Sequence, residues 1–105
     1  MKVSRKTWTA VFERDLGRCR YCGTDLLASV PAFCAATMDR VEGPAGAGTD
    51  DAAHLVLACA GCASMLGGLG HLKTFSERKT FLDQQHAKGR PWYLEFRGRL
   101  RKDEG

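Results

Sequence analysis

Two short cysteine pairs, Cys19-Arg20-Tyr21-Cys22 and Cys59-Ala60-Gly61-Cys62, constrain this chain more than any other feature. Each puts two thiols on one tight turn. Two such turns brought together present four sulfurs in the tetrahedral arrangement that a structural zinc takes. The segment between them, Gly23 to Ala58, is too long for a simple finger, so the metal must clamp a folded insert. A pair of disulfides and a redox-active CxxC are the alternatives. The redox role needs a thioredoxin-like βαβ context, and neither pair has one. Cys34, the fifth cysteine, lies between Phe33 and Ala35 and reads as a small buried hydrophobe rather than a further ligand.

A chain of 105 residues is expected to form one domain. At that size only about 65% of the unfolded surface is buried, so a staple is plausible. Metal binding would supply on the order of 10 kcal/mol. No stretch is apolar for long enough to span a membrane, and a membrane partner is not expected. Residues 1–9 are basic and have no apolar segment of the export-signal kind. Five cysteines without such a signal read as a reducing, cytoplasmic setting.

The net charge of +4 is unevenly spread. Residues 1–20 carry six basic and two acidic groups, residues 21–66 one basic and five acidic, and residues 67–105 nine basic and five acidic. Both ends are therefore basic and the centre is acidic, which suits nucleic-acid contact by the flanking helices. A solvated basic helix face is the plainer account of the same pattern.

Hydrophobic periodicity predicts a helix over Ser4 to Asp15, with Trp8, Val11, Phe12 and Leu16 on one stripe. Ser4 or Thr7 would cap it, and Gly17 stands where a left-handed residue ends a helix. A strand is expected within Phe33–Val41, a Gly/Pro-rich loop over 42–48, and a second strand over His54–Ala58. A short helix is predicted over Ala63–Leu66, ended by Gly67-Gly68. Thr74-Phe75-Ser76-Glu77 is a capping box and predicts a helix from Phe75 to about Ala87. Gly89-Arg90-Pro91 should break it before a last helix bearing Trp92, Phe96 and Leu100 on one face.

The order helix, CxxC, strand, Gly-rich loop, strand, CxxC, helix resembles the HNH endonuclease family. The resemblance runs from about Thr7 to Leu66, through the segment Val11 to Gly23, through Thr37-Met38-Asp39-Arg40-Val41, and through His54-Leu55-Val56-Leu57-Ala58-Cys59 to Cys62-Ala63-Ser64-Met65-Leu66. It implies an α+β fold: a small zinc-stabilised ββα-metal domain, core about 7–66, with a flanking N-terminal helix and a C-terminal helical extension over about 74–103. It implies zinc on Cys19, Cys22, Cys59 and Cys62.

The chain departs from the family where catalysis is carried. The general-base histidine position is Arg40, whose guanidinium stays protonated and has no acceptor lone pair. Asp39 stands where the family has one ligand of the catalytic ion. The helical ligand position is Ala63, which offers no donor atom. His54 replaces the family's asparagine, and Leu66 its lysine. Asp39, His54 and His71 are the remaining candidates for a rebuilt centre, and Mg²⁺ or Mn²⁺ enters only if such a centre works.

The resulting expectation is a zinc domain that binds nucleic acid, DNA rather than RNA, without cutting it. Arg40 would meet a phosphate at the mouth of a cleft between the strands and the helix near Ala63, or else pair with Asp39 or Glu42. Arg18, Arg20, Arg97, Arg99 and Arg101 would add backbone contacts. The alternatives are a divergent metal-dependent nuclease and a protein-interaction module that uses Trp92, Tyr93 and Phe96.

Overall fold

A computed structural model of the chain describes residues 3–42 and 52–101. Its elements are α1 (Arg5–Arg14), α2 (Val30–Cys34), β1 (Thr37–Arg40), β2 (Leu55–Ala58), α3 (Ala60–Leu66) and α4 (Phe75–Leu100), with one 3₁₀ turn at Ala52–His54. Most of the loop expected over 42–48 lies outside the described residues.

The architecture is α+β, built around a two-stranded antiparallel sheet. Its register pairs Thr37 with Ala58, Met38 with Leu57, Asp39 with Val56 and Arg40 with Leu55. All four residues of β2 are buried. Side chains alternate across a strand, so each face of β2 feeds a different core. Leu55 and Leu57 pack with Val11 of α1 and with Leu26, and Met38 of β1 joins them. Val56 and Ala58 face the other way, onto Tyr21, Cys19, Cys62, Leu66 of α3 and Leu82 of α4. Asp39 pairs with Val56 and so belongs to this second face, which aims its carboxylate at α4.

Helix α1 is capped by Ser4, whose hydroxyl accepts the Thr7 N–H at 3.1 Å. Trp8 and Phe12 stack at 5.0 Å, and Phe33 of α2 packs edge-on against both. Leu16 does not close the stripe. It takes a left-handed φ of +59° and is 80% exposed. Gly17 follows at φ +67°, where a side chain is strained, and a Cβ there would lie 2.9 Å from Leu27 Cδ1, which would have to move.

Three further expectations are corrected. Cys34 is exposed, because no residue of the short α2 is buried. Helix α3 starts at Ala60 rather than Ala63, since the Cys59 thiol caps it by accepting the Cys62 N–H at 3.4 Å. Helix α4 continues unbroken through Gly89-Arg90-Pro91 for 26 residues, about 39 Å. Pro91 withholds an N–H from the carbonyl of Ala87, but Ala87 is exposed and water can satisfy it. From His86 onward every described residue of α4 is exposed, so its C-terminal half stands clear of the core as an arm.

Candidate metal centre

Cys19, Cys22, Cys59 and Cys62 come together. Their four Sγ atoms lie within 4.8 Å of one another, the one group of metal-ligating side chains of this kind among the described residues. Cys22 Sγ and Cys59 Sγ are 3.7 Å apart. Four sulfurs held about 2.3 Å from a tetrahedral ion stand about 3.8 Å apart, so the cluster has the dimensions of a four-thiolate site. None of the five cysteines is in a disulfide.

Local structure sets each pair. In the first, the Cys19 N–H donates to the Thr24 carbonyl at 3.0 Å and the Gly23 N–H to the Cys19 carbonyl at 2.9 Å. Gly23 closes this turn at φ +80°. The second pair rides on the start of α3, as described. Cys19 and Cys62 are buried and Cys22 is exposed, so one edge of the cluster meets solvent.

The thiols are electrostatically frustrated without a cation. Burial pushes Cys59 and Cys62 up, and at both a charged Cys19 thiolate would add to the rise. At Cys22 burial acts in the same sense, but hydrogen bonds from Thr24 outweigh it and bring the thiol down to about 7. A divalent cation removes this conflict by favouring all four thiolates together.

The cluster is tied to β2 by a buried carboxylate that sequence reasoning missed. Asp15 Oδ1 accepts from Arg14 Nε at 2.8 Å and Arg20 Nη1 at 3.0 Å, while Oδ2 accepts from Arg14 Nη2 at 2.8 Å and the Leu57 N–H at 2.9 Å. Burial pushes this carboxyl up, but the bonds from Arg14, Leu57 and Arg20 win and hold it below the usual carboxylate value. Arg14 also donates to the Ala52 and Leu55 carbonyls, at 2.7 and 2.6 Å. The end of α1, the first cysteine turn and β2 therefore form one hydrogen-bonded unit.

Arg20 is thus committed to Asp15, and its guanidinium also lies 5.0 Å over the Phe75 ring. Tyr21 stacks on Phe75 at 5.2 Å, so the first cysteine turn grips the start of α4. Arg18 is exposed and donates to the Gly23 carbonyl at 3.2 Å.

Asp39 is held by an arginine that the sequence did not single out. Arg78 of α4 donates from Nε to Oδ2 and from Nη2 to Oδ1, both at 2.7 Å, and the Tyr21 hydroxyl donates to Oδ2. Arg78 also donates to the Leu72 carbonyl. The side chains of Arg78 and Asp39 are only 12% and 13% exposed. This bidentate, shielded pairing is a strong one. Burial and then the Asp39 carboxylate push the Tyr21 phenol above its usual range, against the opposing pull of the Arg78 guanidinium.

Beside this pair lies a cleft of about 190 Å³ lined in part by Arg40, Glu42, Leu72, Lys73 and Arg78. It opens between the end of β1, the segment before α4 and the first turns of α4, rather than toward Ala63. With Arg78 committed to Asp39, Arg40 and Lys73 face Glu42 there, which leaves the described lining with a modest positive balance. His54 is buried and its Nδ1 has no hydrogen-bond partner. His71 is exposed. Neither histidine bonds Asp39. Arg97 and Arg99 lie far along α4, where Arg99 pairs with Glu95 at 2.7 Å, and Arg101 caps its end.

No helix among the described residues is long and apolar enough to cross a membrane. The chain matches no protein-family model, and comparison with curated proteins and with solved structures finds no significant match.

Proposed function

We propose that this chain is a zinc-braced, HNH-like module that binds nucleic acid and does not cut it. The four clustered thiols suit zinc, whose tetrahedral four-thiolate sites are closed and structural. In this reading Cys19, Cys22, Cys59 and Cys62 hold the ion, which supplies folding energy and no chemistry.

The observation that carries the non-cutting half is the pairing of Asp39. In the family the chain resembles, that carboxylate would help hold a catalytic cation. Here the Arg78 guanidinium takes both carboxylate oxygens. A protonated guanidinium neutralises the carboxylate and blocks its lone pairs from a metal. Arg40 provides no general base, and Ala63 no second ligand. What remains is a cleft flanked by Arg40 and Lys73, whose positive balance suits a phosphate better than a divalent ion.

The test is plasmid incubation with Mg²⁺ and with Mn²⁺, for the parent and for Asp39→Ala, beside binding titrations over a range of salt. The proposal expects no cleavage by either protein and binding that weakens steeply as salt rises. Metal-dependent cleavage that Asp39→Ala abolishes would establish the divergent-nuclease reading instead. A protein-interaction role is the other reading, favoured by the exposed rings on the α4 arm. Binding that is insensitive to salt would support it.

A further inference from the structure

The arm of α4 carries more apolar surface than a solvated helix needs. Trp92 is 68% exposed, Tyr93 59%, Phe96 41% and Leu100 75%. At 100° per residue, Trp92, Phe96, Leu100 and Tyr93 fall on one arc about 100° wide. Arg90, Arg97 and Arg101 follow along one edge of that arc, and Lys88 and Arg99 along the other. Residues 88–101 hold five basic groups and one acidic group. Two shallow hollows, of about 280 and 340 Å³, lie on either side of Tyr93 and Phe96.

This charge settles which occupant the face suits. A second copy would bring an equally basic arm against the first, with like charges along both edges. A polyanion is complementary on both edges. The rings then say which polyanion. The Trp92 and Phe96 ring centroids are 5.7 Å apart and the planes are tilted by 54°. Stacked bases in a duplex are about 3.4 Å apart and parallel. No pair of adjacent duplex bases can meet both rings, whereas an unstacked strand can lay one base on each. Arg99 lies 5.0 Å over Phe96 and pairs with Glu95 at 2.7 Å, so it backs the ring and leaves phosphate contact to Arg90 and Arg97 on the other edge.

We propose that the arm of α4 is a stacking platform for single-stranded nucleic acid: Trp92, Phe96 and Tyr93 take bases, and Arg90 and Arg97 along one edge of the arc take phosphates. The inference rests on the nucleic-acid reading above and gives it a preferred form of ligand and a place on the molecule away from the cleft. Sequence discrimination is not expected, because every base offers a π-face.

The experiment uses the full, metal-loaded chain and four probes: a labelled oligothymidylate, a duplex of equal length, heparin, and phosphatidylserine vesicles. The parent should bind oligothymidylate best and lose tryptophan fluorescence on binding. Trp92→Ala should weaken that complex by roughly tenfold or more, and Phe96→Ala likewise, with duplex and heparin affinity nearly unchanged. Trp92→Phe should retain most of the affinity and lose the quench, since Trp8 is then the only tryptophan. Equal binding of all the polyanions, unmoved by Trp92→Ala, would overturn the platform and leave the nucleic-acid reading standing. Failure to bind any nucleic acid would overturn both. Vesicle binding without oligothymidylate binding, or a dimer that Trp92→Ala dissolves, would assign the rings elsewhere and overturn the platform.

Discussion

Replacing Arg78 by methionine removes the guanidinium from Asp39 and keeps most of the aliphatic stem. The carboxylate, with its side chain 13% exposed, is left with the Tyr21 hydroxyl alone. Withdrawing one partner of a shielded ion pair costs about 3–5 kcal/mol, because the other charge stays buried. Little of that is lost to solvent screening at this exposure. The domain's whole stability is on the order of 5–15 kcal/mol, so Arg78→Met should be marginal. Asp39→Asn added to Arg78→Met removes the stranded charge and keeps an acceptor for Tyr21. The double variant should therefore be more stable than Arg78→Met by at least about 2 kcal/mol. Urea denaturation of the metal-loaded parent, both single variants and the double variant, at neutral pH, gives the coupling directly. A cost below about 1 kcal/mol for Arg78→Met, or a double variant no better than the single, would refute the argument that a guanidinium neutralises this carboxylate.

Asp15→Asn should cost about 3 kcal/mol at neutral pH, read from the same denaturation curves. The Asp15 carboxyl is held low in the folded state, so its contribution is whole above pH ~4 and is lost as pH falls through the folded value; the gap between parent and variant should close there. Gly17→Ala combines a left-handed backbone with a Cβ 2.9 Å from Leu27 Cδ1, and should lower stability by about 1–2 kcal/mol or more in a thermal melt.

The readable parts of this fold were those with local causes. The Ser4 cap, the Thr74–Glu77 capping box and the apolar run of β2 each act within a few residues, and each falls where the sequence placed it. The four cysteines were legible as a cluster because metal-ligand spacing is itself local. What escaped were pairings set by tertiary packing. Arg78 lies 39 residues from Asp39, and the Leu57 N–H lies 42 from Asp15. Nothing in either neighbourhood marks them as partners. The one available signal was the strand alternation, which puts Asp39 on the face of Val56 and hence toward whatever helix covers it. The helix break expected at Gly89-Arg90-Pro91 failed for a different reason. Propensity overstates the cost of a proline where the orphaned carbonyl is bathed in solvent, as at Ala87.

The central claim is that a four-thiolate zinc site holds this small fold together. Elemental analysis of the purified full chain, alongside its circular dichroism, tests it most directly. The account predicts one zinc per chain, and both zinc and ordered structure lost in Cys19→Ser, Cys22→Ser, Cys59→Ser or Cys62→Ser, while Cys34→Ser keeps both. A metal-free chain that stays well folded, or a chain whose clustered thiols carry iron instead, would contradict it.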